Sequence, residues 1–450
     1  MKRLVIILAA ASILGGCGAL GKGKKGPVTP TIGERIPVLT SESGIAVDPV
    51  LASVPVTLPA PIANTDWAQP GGSATKALGN VVLPTSIGKA WTAEIAGSTS
   101  RTRLAAAPVV AGGTLYVIDT NATLRALDAA SGAERWRAKV GEVSGGKSFW
   151  TGENTGNSGA VFGGGVSFDN GRVYATNGIG DVVAFDAATG KQIWKARPGG
   201  PLRGAPTIAY DSAYVLSQDN QLFALNTADG TLRWQGAGSL EQAGVFGVAA
   251  PAAGNGTIVA GFSSGELTAF RYENGQPVWG DALTRTSIST AVTNLSDVDA
   301  DPVIDNGRVY AVGQGGRMVA IELASGQRLW EINIAGISTP WVAGDWIYVV
   351  TDDAQLLCIA KDSGRVRWMT QLPRYKDEKD KKGPISWVGP VLAGDRLIVA
   401  SSEGQISNVS PLDGAIQSTV NTKMPVSLPL VVAGGTLYVL HDDGKLTAWR

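Results

Sequence analysis

The sequence predicts an all-β fold, an eight-bladed β-propeller of four-stranded antiparallel blades whose last blade is closed by an N-terminal strand. Three observations carry that expectation. The first is a recurring phrase in which a turn and a Gly precede a Trp by four residues. It runs from Asp128 through Gly132 to Trp136, and again from Asp186 to Trp194, Asn226 to Trp234, Arg271 to Trp279, Glu322 to Trp330 and Ala360 to Trp368. A seventh copy, at Asp413-Gly414, has Ser418 in the Trp slot. Self-similarity at a fixed period is the mark of a repeat architecture. The second is a set of eight strand openings, at Pro108, Val166, Pro206, Pro251, Pro302, Pro340, Pro390 and Pro429, each followed by a strand with Tyr or Ile in a shared slot (Tyr116, Tyr174, Tyr214, Ile258, Tyr310, Tyr348, Ile398, Tyr438). Their spacing of about 40 to 50 residues is that of a propeller blade. The third is composition: 59 Gly and only 17% charged residues suit short strands joined by tight turns, whereas helices tolerate Gly poorly.

Taken in chain order, the front end is not part of the ring. Met1-Lys2-Arg3 is a positive n-region and Leu4 to Leu14 an apolar run, too short to span a bilayer and proportioned like a secretory leader. Leu14-Gly15-Gly16-Cys17 resembles a bacterial lipobox, so residues 1–16 are expected to be a signal peptide and Cys17 to receive lipid. Gly18 stands where an Asp would suggest inner-membrane retention, which implies the outer membrane. Residues 17–64 read as a lipid-anchored Pro-rich tether without helical or strand period. Short apolar pieces at Ile45-Ala-Val47 and Val54-Pro-Val56 could lie against the folded body. Residues 65–450 are assigned to the propeller.

Each blade parses into four strands with apolar–polar alternation in the second to fourth, as in Gly113 to Ile118, Thr123 to Asp128 and Glu134 to Ala138. The sequence reaches Trp449-Arg450 after the third strand of the eighth unit, and Lys89 to Ile95, with Trp91 in fourth-strand register, would complete that blade. Closure of this kind removes a free sheet edge. The repeated Trp are expected to pack on the small third-strand residues of a neighbouring blade: Ala126, Ala184, Ala224, Ala269, Ala320, Cys358 and Ala448. Cys358 in an Ala slot reads as core rather than as a reactive thiol.

Composition excludes several chemistries. The 38 basic and 38 acidic side chains cancel, leaving no field to hold a nucleic acid. With one His (His441) and two Cys, of which Cys17 lies at the leader boundary, a His-based metal site, a His-dependent triad and a disulfide framework are all set aside. No catalytic, metal-ligating or cofactor-binding residues are assigned.

The repeat Ala-x-Asp-x-x-x-Gly-x-x-x-Trp, complete at Ala126 to Trp136 and Ala184 to Trp194, resembles the pyrroloquinoline-quinone-type propellers. Within them the chain is similar to two subfamilies. The quinoprotein alcohol dehydrogenases hold quinone and Ca²⁺ under a vicinal disulfide, for which the ring has no Cys pair. The outer-membrane assembly factor BamB family has leader, lipobox and eight repeats as here and no cofactor. That resemblance implies a non-enzymatic lipoprotein scaffold of the β-barrel assembly machinery, docking periplasmic domains of BamA, with unfolded outer membrane proteins as further candidate clients. A quinone-dependent dehydrogenase, or a cell-envelope propeller with another ligand, are the alternatives.

Length variation falls in the connections from the fourth strand of one blade to the first of the next, at 141–165, 235–250, 280–301 and 373–389, all on one face. Asn294-Leu-Ser-Asp297-Val-Asp299-Ala-Asp301-Pro302 resembles a Leu-Ser-Asp-Val-Asp-x-x-Pro segment of the BamB family that supports BamA binding, which implies partner-binding roles for Asp297 and Asp299. An Asp-rich loop capping its own backbone is the other reading, and the two are compatible. The family carries a Leu-x-Leu-Arg-Gly contact segment in the preceding connection. Here that place reads Ala243-Gly-Val245-Phe246-Gly247, so Val245 and Phe246 are candidate contacts and the cation is missing. Phe149-Trp150 is a further candidate anchor, and Lys376 to Lys382 is read as a solvated charge run.

Overall fold

The structure, a computed structural model, describes residues 45–141, 162–239, 247–284 and 296–450. Eight four-stranded antiparallel sheets follow one another along the chain. The first is built from Val109–Ala111, Thr114–Ile118, Thr123–Asp128 and Glu134–Lys139, ordered from the axis outward. The eighth takes Val431–Ala433, Thr436–Leu440 and Lys445–Trp449 from the C-terminus and Lys89–Glu94 as its outermost strand. Trp91 faces Ala448 in that pairing, and Gly88 and Arg450 exchange backbone hydrogen bonds of 2.9 and 3.0 Å. The expected closure is therefore present. A two-stranded ribbon, Tyr375–Asp377 with Lys382–Pro384, carries the charge run. Among the described residues no helix is long and apolar enough to cross a membrane.

Second strands are buried at nearly every position, as in Thr114–Ile118 and Trp346–Val350. Each sheet is covered on both faces by its neighbours, so its middle strands are apolar on both sides instead of alternating. Only the outermost strands alternate, as in Glu134–Lys139.

The Trp packing differs from expectation in an instructive way. Trp136 stands opposite Ala126 of its own blade, beside Tyr116 at 5.9 Å between ring centroids. Its ring covers Gly190 in the turn of blade 2, where an added Cβ would lie 2.5 Å from the indole. Its N–H donates to Ala187 O at 2.9 Å. Trp194 treats Gly230 and Thr227 O in the same way, and Trp279 treats Gly326 and Leu323 O. The Ala slot thus makes room within the blade, and the neighbour contributes its turn Gly. Gly and Trp of one repeat serve two successive interfaces. This accounts for Ser418: blade 8 is joined from the two chain ends and has no such turn for a blade-7 Trp to cover. Cys358 is fully buried opposite Trp368, and burial pushes its thiol well up, as core placement requires.

Residues 45–82 are not a free tether. They run along the face that carries the turns between strands one and two and between three and four, called here the turn face. From Asn64 to Val81 they touch every blade. Asn64 bonds blade 8 at Val432 and Gly434, Trp67 bonds blade 1 at Val110, Ala68 bonds Phe168, and the Gln69 side chain bonds Ile208. Ala74 then accepts from Ala253, Thr75 from Ile304 and Gly79 from the Trp341 indole, and Val81 bonds Leu392 and Gly394. Trp67 stacks on Trp341 across the circuit. An irregular strap that gives a few hydrogen bonds to each blade has no period, so pattern reading could not find it.

Candidate functional site

The opposite face carries the inter-blade connections and is called the connection face. Between it and the strap lies an axial cavity of about 460 Å³. Its floor is Trp67, Lys76 and Trp341, its wall includes Val388 and Leu430, and Asp299 and Gln314 stand at its edge.

At that edge three successive connections are tied together by one ion cluster. Arg203 comes from the connection between blades 2 and 3, where Arg203 N–H donates to Leu216 O at 2.8 Å and fixes the backbone. Its Nη2 donates to Asp297 Oδ1 at 2.7 Å and to Asp299 Oδ1 at 2.9 Å, both in the connection between blades 4 and 5. The intervening connection passes beneath as Gly247. A Cβ there would lie 1.9 Å from both Arg203 Nη2 and Asp299 Oδ1, so only Gly leaves space for the pair. The same two connections are joined again where Ala250 N–H donates to Asp301 Oδ1 at 2.7 Å. From blade 5, Gln314 Nε2 donates to Asp299 Oδ2 and Gln314 N–H to Asp297 O, both at 2.9 Å.

Burial makes this cluster electrostatically demanding. The Arg203 and Asp297 side chains are 0% and 1% exposed, and Asp299 is 10% exposed. Arg203 Nε and Nη1 and Asp297 Oδ2 find no hydrogen-bond partner among the described residues. Burial, and next the Asp297 charge, push the Asp299 carboxyl up to about 7 against the pull of Arg203. Deeper in, burial lowers the Lys76 ammonium to about 8 and raises Asp301, each opposed by the charge of the other. Three carboxylates thus face two cations, and a proton on Asp299 near neutrality relieves the excess. Removing a cation from such a set leaves uncompensated buried carboxylates, at a cost of about 3–5 kcal/mol.

Asp297 and Asp299 are therefore brought together, as the sequence suggests, and among the described residues neither side chain caps the backbone of its own loop. Both bind Arg203 instead. Asp297 is enclosed, while Asp299 lines the cavity. Sequence reasoning missed Arg203. It lies in Leu202-Arg203-Gly204, in the connection before the one that holds Val245 and Phe246. Val245 and Phe246 precede Gly247 directly but lie outside the described residues, as do Cys17, Phe149 and Trp150. His441 is buried, with its ring nitrogens 3.2 Å from Met424 O and 3.1 Å from Thr447 Oγ1, and burial lowers its pKa.

A quinone-and-Ca²⁺ site does not fit these residues. The strap occupies one end of the axis, and among the described residues no group of three or more His, Cys, Asp or Glu side chains is arranged to hold a metal.

Comparison with known proteins agrees with this arrangement. The family model described as "Outer membrane protein assembly factor BamB" matches residues 84–145 and 140–370. The outer membrane protein assembly factor BamB of Yersinia pestis is 25% identical over 363 residues, 80% of this chain and 88% of that protein. Among solved structures, BamB from Moraxella catarrhalis superposes with a TM-score of 0.63 at 18% identity, covering 81% of this chain and 98% of that one. Quinohemoprotein alcohol dehydrogenase from Comamonas testosteroni reaches 0.64 at 13% identity, covering 86% and 80%, a likeness of fold alone. With its eight closed blades and a family match over more than half its length, the chain belongs to the family of the outer membrane protein assembly factor BamB.

Proposed function

We propose that this chain is a lipoprotein scaffold of the β-barrel assembly machinery, held at the periplasmic face of the outer membrane by lipid on Cys17, which docks BamA through its connection face and so assists assembly and insertion of outer membrane β-barrel proteins. Membership of the assembly-factor family supports outer-membrane association and a part in barrel assembly. The observation that carries the docking site is the Arg203–Asp297–Asp299 tie, which locks three neighbouring connections into one rigid platform. A preorganised surface loses less entropy on association. Asp297 acts from within as a positioning residue, Asp299 stands at the edge, and Val245 and Phe246 precede Gly247 as the apolar contacts. The scaffold role needs no bond chemistry.

The test is co-purification of the full-length protein with BamA from solubilised envelopes, wild type beside Asp297→Asn/Asp299→Asn. Alanine at both positions would strand the Arg203 guanidinium without an acceptor, so the isosteric pair is the cleaner probe. BamA recovered with the wild type and depleted with the variant supports the reading. No BamA with either protein overturns it.

A further inference from the structure

We propose that the outer rim of blades 6 and 7 on the turn face rests on a lipid bilayer, leaving the connection face turned away from the membrane. The inference rests on the lipid anchor at Cys17 and adds an orientation to it. Five large apolar side chains are exposed on this rim: Val47 (38%), Val50 (69%), Val54 (37%), Leu412 (51%) and Ile416 (46%). Elsewhere the outermost strands of blades 2 to 5 expose one each, at Ile193, Leu232, Val278 and Leu329.

The five belong to one surface. Val47 bridges to Val366 in the outermost strand of blade 6. Arg365 pairs with Asp48 at 3.3 Å, and Arg367 Nε donates to Val54 O at 2.7 Å. Thr370 Oγ1 donates to Gly414 O at 2.6 Å, which seats the turn that carries Leu412 on the same outermost strand of blade 6. Asp48 Oδ1 accepts from Val50 and Leu51 N–H at 2.8 and 3.1 Å, so the 3₁₀ turn Leu51–Ser53 is presented as a fixed knob. Its residues are not buried by the ring.

Blade 7 continues the surface. Its outermost strand, Ile416–Asn421, is exposed at all six positions and carries no charge. Every other outermost strand includes Asp, Glu, Lys or Arg, the usual protection of a sheet edge in water. An uncharged edge beside an apolar knob suits an interface that is not water.

The occupant follows from where the chain leads. Residue 45 enters the ring at this rim, and from Cys17 to Gly44 there are 28 residues, a length for which a coil would have an r.m.s. span of roughly 30 Å. An anchor that short keeps the rim within its own dimensions of the bilayer, where apolar side chains with neighbouring Arg partition into the headgroup boundary.

The test uses the full-length lipidated protein in phosphatidylethanolamine–phosphatidylglycerol vesicles, with Val50→Cys or Lys379→Cys carrying an environment-sensitive fluorophore. Cys17 is consumed by lipid and Cys358 is buried with its thiol pushed up, so labelling is specific. Lys379 is exposed on the ribbon of the connection face. Spin-labelled lipid should quench position 50 and leave position 379 unchanged. Protein that floats with vesicles but shows no quenching at 50, or quenching at 379 instead, overturns the orientation whatever else covers the rim. Protein that does not float overturns the anchor at Cys17 and the orientation with it.

Discussion

Replacing Asp299 by Asn should make the ring more stable above neutral pH and flatten its dependence on pH. The carboxyl is raised from 3.8 to about 7, first by burial and next by Asp297. A carboxyl whose folded pKa exceeds its unfolded one binds its proton more tightly in the native state. Stability is then full below the unfolded value and is lost as pH rises from about 4 to about 7. At about 1.4 kcal/mol for each pH unit, the wild type gives up about 4 kcal/mol at this group by pH 8, of which about 2 kcal/mol goes between pH 5 and pH 7. Asn keeps an oxygen for Arg203 Nη2, and the Gln314 amide can turn to meet its NH₂. Contributions from Asp301, Lys76 and His441 are common to both proteins and largely cancel in the difference. Urea unfolding at pH 5, 6, 7 and 8 measures it. The variant should gain steadily on the wild type across that range. Parallel curves would refute the assignment of a strained, buried Asp299.

Other outcomes follow from the packing. Trp194→Ala removes a buried ring seated on Gly230 and its bond to Thr227 O, and should cost about 3–5 kcal/mol in the same unfolding assay. Gly247→Ala drives a Cβ to 1.9 Å from both Arg203 and Asp299; the forced shift should cost about 1–3 kcal/mol and loosen the tie. Deleting residues 45–82 takes one strap contact from every blade and exposes the Trp341 face now stacked on Trp67, so the truncated ring should unfold at clearly lower urea than the full chain.

Much of the ring is legible because its constraints repeat. Each of blades 1 to 7 needs a turn Gly beneath the preceding blade's Trp, so Gly132, Gly190 and their counterparts recur at fixed distance from Trp136 and Trp194. The exception at Ser418 is readable too once the seam is placed. What stays hidden has no repeat to betray it. The strap at Asn64 to Val81 spreads its hydrogen bonds over eight blades without a repeat, and Arg203 reaches Asp297 across 94 positions of sequence. The family pattern leads to the acidic pair but not to its partner, because the guanidinium comes from a different connection. A short stretch of sequence shows that Asp297 and Asp299 are acidic and close. It does not show that they are enclosed.

In the proposed scaffold, the tie among three connections builds the surface that docks BamA. The most direct measurement is the Kd of the mature protein for the periplasmic region of BamA, comparing wild type, Gly247→Ala and Trp194→Ala. Trp194 lies on the turn face, so its variant should bind as the wild type does despite a larger loss of stability. Gly247→Ala should weaken binding about tenfold or more, equivalent to about 1.4 kcal/mol. Wild-type affinity in Gly247→Ala, or an equal loss in both variants, would contradict the claim.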